Sequence, residues 1–164
     1  MSHGGVDSHM IENEADLFVR ELAELYGIEH RLEAFQSARA GDATSEDLED
    51  FYMGHSEATT EQIDRLERVF EAIGADPERR ESSRFEGVVE EREGLIGDTA
   101  DPTLSDLVDV ETGLAIERLE ITKLETLLAL ADRVDLEPEA VEILRTNKQE
   151  AENAVDRLQG MASA

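Results

Sequence analysis

The chain has 164 residues, of which 41 are acidic and 15 basic, and it contains no cysteine. Its formal net charge of −26 argues against a nucleic-acid partner, and the lack of cysteine excludes a disulfide framework, a thiol nucleophile and an iron–sulfur cluster. There is neither an apolar run long enough to span a membrane nor a secretory leader pattern, so we expect a single cytoplasmic domain with no membrane partner.

Residues 1–12 show no apolar periodicity and are predicted to form a flexible tail. The first ten are rich in Gly, Ser and His, and they are either native or in part an expression-tag remnant. The folded domain is therefore predicted to cover residues 13–160.

Four long amphipathic helices and one short helix are predicted from apolar residues that recur at steps of three and four. In chain order they cover residues 13–39, 45–73, 85–96, 102–134 and 137–158. Gly or Pro stands in or near each break between them, and all three prolines stand at predicted helix boundaries, where a missing N–H is tolerated. No segment shows the period-2 alternation of a strand. Two helical hairpins joined by a crossover that carries the short helix indicate an all-α, ferritin-like four-helix bundle.

Glu29 is a charged residue in the middle of the apolar stripe of the first helix. Such a carboxylate is either paired with an arginine, placed at the rim of the stripe, or part of a polar site. If the first hairpin is centred near Asp42, Glu29 and His55 lie at the same depth and face the same interior. His30, about 100° further around the helix, is expected to point outward, and His3 lies with His9 in the tail.

Glu117 and Glu120 lie one turn apart on the third long helix. With the second hairpin centred near Leu136, they should lie about one turn from Glu150. Converging buried carboxylates repel one another unless they are protonated or share a cation, and iron or manganese with oxygen and imidazole ligands is the usual solution. Each of these residues taken singly could equally be one of the many surface acids of this chain.

Several stretches resemble the YciE/YciF-type ferritin-like proteins. These are residues 24–29, 55–67, 69–77, 85–91 and 117–121, and the resemblance extends over residues 14–158. It implies a ferritin-like bundle that is generally dimeric, associated with stress responses and ferroxidase-like. It also implies metal ligands at positions matched here by Glu29, His55, Glu117, Glu120 and Glu150.

This chain departs from the family pattern at Ala58 and Ala151, where the family has acids and where the side chains are expected to point inward. A ferritin-type dinuclear centre takes about six ligands, four Glu and two His. One inward histidine and at most four acids are present here, so one metal ion or none is expected. Two functions remain open: an iron or manganese protein with ferroxidase-like activity at most, and a metal-free, non-enzymatic bundle with a structural or oligomerisation role.

The acidic residues are spread along the whole chain, and 13 of the 15 basic residues are arginine. Such a surface is expected in an organism with molar salt in its cytoplasm, because salt screens the self-repulsion. The alternative is an acidic protein from an ordinary environment. The surface should attract solvent cations, and the expected macromolecular partner is a second copy of the chain, in a homodimer or higher homo-oligomer.

Overall fold

The computed structural model describes residues 10–162, so the predicted tail lies outside this range except for its last three residues. The described chain is all-helical and contains no strand, as the sequence predicted. Its five helices are α1 Glu14–Asp42, α2 Glu46–Ala72, α3 Ser83–Gly97, α4 Pro102–Ala131 and α5 Pro138–Ala162. None of them is long and apolar enough to cross a membrane.

Polar side chains begin four of these helices, because each accepts a hydrogen bond from a backbone N–H of the first turn that has no partner inside the helix. These capping residues are Asn13, Ser45, Ser82 and Asp101 for α1 to α4, respectively. The second helix is terminated by the turn at Gly74, whose positive φ of 72° suits a residue without a Cβ atom. The helix boundaries predicted from the sequence are confirmed to within four residues.

Four helices pack in a ring in which α1 contacts α2 and α4, and α5 contacts the same two helices. Each neighbouring pair runs antiparallel. For α4 and α5 this is seen in the ion pair between Glu125 and Lys148, which fits the predicted hairpin centre near Leu136. The crossover helix α3 packs on the outside of α4.

The register of the first hairpin differs from the prediction. Tyr26 donates a hydrogen bond to Glu67, and Thr59 donates to Gln36, which centres the hairpin near residue 47 instead of Asp42. The expectation that Glu29 and His55 lie at the same depth is therefore wrong. The first helix extends beyond the sequence signal for its end, since α1 continues through Gly41 to Asp42.

Apolar clusters fill the two ends of the ring and the space beneath α3. The cluster at the α1 start is built on Phe18, Leu22, Leu66, Phe70, Leu127 and Leu144. The opposite end contains Leu48, Phe51, Tyr52, Val110, Ala154 and Leu158, and the cluster beneath α3 contains Ile28, Leu32, Phe35, Phe85, Ile116 and Leu119. Polar side chains occupy the middle of the bundle between these clusters.

A buried ion pair fastens the crossover helix to the ring. Nε of Arg92 on α3 lies 2.5 Å from a carboxylate oxygen of Asp109 on α4, and both side chains are buried. The hydroxyl of Tyr52 on α2 donates to the backbone carbonyl of Asp109 at 2.8 Å. Asp109 of α4 thus forms polar bonds both to the crossover helix α3 and to α2 on the far side of the ring.

Candidate metal centre

Four of the five predicted ligands lie in the middle of the bundle. Glu29 comes from α1, His55 from α2, and Glu117 and Glu120 from α4, and these side chains are 2%, 7%, 2% and 1% exposed, respectively. Each stands on a helical stripe whose other members are mostly apolar, so packing of the stripes carries the polar groups inside. Burial of three carboxylates together is costly unless each finds a partner.

One hydrogen bond and close approaches between carboxyl groups link these four side chains. Nε2 of His55 lies 3.0 Å from one oxygen of Glu117. The carboxyl of Glu120 is within hydrogen-bonding reach of both Glu29 and Glu117. On the other side, the imidazole of His55 stacks on Phe51 with ring centroids 5.1 Å apart, so its orientation is fixed by both contacts.

Each of the three carboxylates also has a buried oxygen without a hydrogen-bond partner in the described chain. These atoms are Oε2 of Glu29, Oε1 of Glu117 and Oε1 of Glu120. Buried polar atoms in folded proteins are nearly always satisfied. Three unsatisfied oxygens in one cluster indicate a place for protons or for a cation.

The pKa values at this centre reflect the crowding of negative charge. Burial raises the pKa of Glu29 to about 7, and the charges of Glu117 and Glu150 act in the same direction. Burial, followed by the charges of Glu117 and Glu29, raises the pKa of Glu120 well above its usual range. Burial lowers the pKa of His55, but the hydrogen bond and charge of Glu117 outweigh this effect and raise it overall.

Glu150 occupies a different position from the other predicted ligands. Its carboxylate accepts hydrogen bonds from Nη1 of Arg65 at 2.8 Å and from Nε2 of Gln62 at 2.9 Å, and its side chain is 31% exposed. The same Arg65 nitrogen donates to Asn147 at 3.1 Å. Glu150 therefore lies at the edge between α2 and α5, where it still influences the pKa of Glu29.

The partners of Glu150 were not assigned a role by the sequence, although one signal pointed to them. Gln62 and Asn147 stand on the apolar stripes of α2 and α5, where a polar residue needs an explanation. Their side chains close a polar network with Arg65 across the two helices. Such pairings depend on the register between helices that are distant in sequence.

The two alanines at expected ligand positions differ in their surroundings. Ala151 is buried, as expected, whereas Ala58 is only half-buried, so the expectation that both point inward holds for one of them. His30 also differs from expectation. It is half-buried and packs edge-on against Tyr26, with ring centroids 4.6 Å apart, and its Nε2 atom is buried. His3 and His9 lie outside the described residues.

The donor atoms suit one hard or borderline divalent cation. Three carboxylates and one imidazole are ligands that iron and manganese accept, and three oxygens are free to bind. As placed, no three His, Asp or Glu side chains among residues 10–162 are arranged as a ready metal-binding group. The side chains would therefore have to turn towards a common point for an ion to bind.

The model of the DUF892 family, described as a domain of unknown function, matches residues 13–164. Protein YciF from Escherichia coli K12 is 27% identical over 142 residues, which cover 86% of this chain and 84% of that protein.

Two solved structures are similar to this chain over nearly their whole length. YcfI from Rhodopseudomonas palustris, described as a proposed structural protein, has a TM-score of 0.88 at 30% identity, with 93% of this chain and 96% of that chain covered. The Escherichia coli stress protein YciF has a TM-score of 0.85 at 24% identity, with the same coverage. The latter likeness concerns the fold alone.

Proposed function

The chain belongs to the DUF892 family, which confirms its resemblance to the YciE/YciF-type proteins, and we propose that it is a stress-associated, ferritin-like protein with a single-metal site. The proposed ligands are Glu29, His55, Glu117 and Glu120, and the proposed metal is iron or manganese. Glu150 would join them only after leaving Arg65.

One observation carries this proposal: three buried carboxylates around one histidine each keep an oxygen without a partner. A divalent cation would satisfy all three oxygens and remove the mutual repulsion of the carboxylates. Protons can relieve the repulsion as well, but a shared proton still leaves acceptor oxygens unsatisfied.

The reduced number of ligands supports one ion instead of two. A dinuclear carboxylate centre uses about six protein ligands. Here the buried Ala151 supplies no donor, and the Glu150 carboxylate is already neutralised by Arg65. Iron bound there would supply one-electron redox chemistry, so a ferroxidase-like activity is the most that we propose.

Residues of the chain would position the ligand oxygens and release protons when the metal binds. His55 holds one oxygen of Glu117 and leaves the other free, so the free oxygen has a defined position. Glu29 and Glu120, whose raised pKa values favour the protonated form, would release protons when a cation binds.

The ring of antiparallel helices and the external crossover helix support the ferritin-like assignment. Self-association, which the resemblance implies, also remains part of the proposal. Leu104 and Leu107 lie one turn apart at the start of α4, and each is about half exposed. Burial of these side chains against a second copy of the chain would stabilise a dimer.

Metal content measured by elemental mass spectrometry tests the proposal. The full chain should carry His3→Ala and His9→Ala, so that the tail cannot bind metal, and it should be purified in molar salt without chelator. We expect about one iron or manganese per chain, lost in Glu29→Gln and retained in Glu91→Gln, which removes an exposed acid. Two ions per chain would instead show that Glu150 completes a dinuclear site.

The alternative function is a metal-free structural or oligomerisation protein. Ala58 and Ala151 at expected ligand positions favour it, as does the description given to the similar structure of YcfI. It predicts no metal even after anaerobic addition of Fe(II), and equal melting temperatures with iron and with chelator at fixed salt. The metal-site proposal predicts a clear rise of the melting temperature with iron, because a ligand that binds only the folded state stabilises it.

A further inference from the structure

A pocket of about 470 Å³ opens between α1 and the segment that leads into α3. It lies on the face of α1 that carries Gly27, His30 and Arg31, and Glu29 is directed to the opposite side, into the bundle. The metal-site proposal does not use this pocket. Its size is within the range of about 300–1,000 Å³ that is usual for small-molecule sites.

The pocket combines an apolar floor with nitrogen-bearing side chains. Ala34 contributes exposed apolar surface, and Ile28 and Phe85, which are almost fully buried, line the pocket beneath it. The nitrogen donors that line it are His30, Arg31, Arg79 and Arg80. Three of the 13 arginines of a chain with a net charge of −26 therefore converge on one cavity.

Two of these arginines have no partner for their charge. The guanidinium groups of Arg79 and Arg80 form no hydrogen bond or ion pair with any residue of the described chain, although acidic side chains are abundant around them. Nε2 of His30 is buried and also lacks a partner there. Arg79 is exposed and Arg80 is half-buried, so both guanidinium groups are open to an acceptor from outside the chain.

The acidic side chains that line the pocket do not neutralise Arg79 or Arg80. Both oxygens of Glu86 are engaged by Arg31, at 2.7 Å each, and the Arg31 guanidinium also lies over the Phe85 ring. Glu81 is exposed. Its negative charge helps to raise the pKa of Arg31, and its carboxylate forms no ion pair with Arg79 or Arg80 in the described chain.

The backbone fixes the position of the arginine pair. The N–H of Arg80 donates to the carbonyl of Ala23 at 3.0 Å, and a Cβ atom at Gly27 would lie only 2.3 Å from the carbonyl oxygen of Arg80. The segment is thus held against α1 at a distance that only glycine permits. The capped start of α3 at Ser82 borders the same cavity, and its first-turn N–H groups favour an anion.

We propose that this pocket binds a small organic phosphate monoester. The dianionic phosphate matches two unpaired guanidinium groups, which can each bind its oxygens in a bidentate manner. Its organic part would lie on the floor made by Ile28, Ala34 and Phe85. The proposal is independent of the metal site, because it uses another face of α1.

Phenyl phosphate and inorganic phosphate are suitable probes, titrated calorimetrically into the full chain at constant ionic strength in potassium chloride. We expect saturable binding of one phenyl phosphate per chain, at least tenfold tighter than inorganic phosphate because of the apolar floor. The variant Arg79→Ala/Arg80→Ala should weaken binding at least tenfold. The matched variant Arg68→Ala/Arg145→Ala removes the same charge from exposed positions outside the pocket and should leave binding unchanged.

A second variant tests the floor without changing any charge. Ala34 is exposed to the cavity, so Ala34→Phe should fold normally, which the melting temperature checks, and should remove the advantage of phenyl phosphate over inorganic phosphate. The proposal is overturned if the intact chain shows no saturable binding. It is also overturned if both double variants lose binding equally, since the general charge of the protein would then be the cause.

Discussion

Glu29 is buried by the packing of α1, although an ionised carboxylate is more stable in water. The apolar stripe of α1 places the side chain inside, and the structure surrounds it with Glu117 and Glu120. The sequence could predict the burial of Glu29, because burial follows from helical period. It could not predict that Glu150 pairs with Arg65, because that contact depends on how α2 and α5 are aligned.

The raised pKa of Glu29 gives the metal-free protein a defined pH dependence. The folded chain holds a proton up to about pH 7, whereas the unfolded chain releases it near 4.5. The folded state therefore binds more protons in this window, and its stability should fall as the pH rises from about 4.5 to 7. The slope for one group is at most about 1.4 kcal/mol per pH unit.

Urea unfolding in the presence of chelator, at several pH values between 5 and 8, measures this slope. Glu29→Gln removes the titrating group and should flatten the dependence, although the general charge of the chain still contributes. Glu91→Gln, which removes one exposed acid, serves as the control for that contribution. Equal slopes in the two variants would contradict the role assigned to Glu29.

Among the elements, the helices themselves were the most predictable feature. Their apolar residues recur over many turns, and Gly or Pro stands near most of the ends, so local chemistry locates each boundary to within four residues. The register of the first hairpin was not predictable in the same way. It depends on contacts such as Tyr26 with Glu67, which the loop near Asp42 does not determine.

Gly27 illustrates a constraint on an element that only the structure reveals. In a helix interior, replacing Gly by Ala normally stabilises by about 1 kcal/mol. At Gly27 the added methyl group would lie 2.3 Å from the Arg80 carbonyl oxygen, so the segment before α3 would have to move. Gly27→Ala should therefore destabilise the chain, despite the better helix propensity of alanine.

Gly54 provides the matched comparison, because a Cβ atom there would meet nothing within 4 Å. Gly54→Ala should raise the free energy of unfolding by about 0.5–1 kcal/mol. Chemical denaturation of both variants at the same salt concentration checks the pair. A stabilising effect of Gly27→Ala would show that the segment before α3 can move freely.

At the scale of the whole molecule, repulsion between like charges affects the stability of the fold more than any single contact does. The 41 acidic residues outnumber the 15 basic ones, and the resulting net charge of −26 makes the folded state repel itself. The Debye length falls from about 10 Å at 0.1 M salt to about 3 Å at 1 M salt. The repulsion between surface acids should weaken accordingly.

The melting temperature should thus rise strongly between 0.1 and 2 M potassium chloride. Because chloride salts stabilise by screening at the lower end of this range, most of the rise should occur below about 1 M. Circular dichroism at 222 nm, recorded with chelator so that metal binding does not contribute, measures it. A melting temperature that does not change over this range would contradict the salt-adapted character expected from the composition.

The bonds of Asp109 have a consequence for the order in which the molecule opens. A short helix packed on the outside of a ring would normally be the first part to unfold by itself, and its amides would exchange with solvent early. Here such opening would break the buried ion pair between Arg92 and Asp109 and leave both charges without their partner, which carries a penalty. The amides of the Arg92 turn are accordingly expected to exchange only when the whole bundle unfolds, so that α3 belongs to one cooperative unit with α2 and α4.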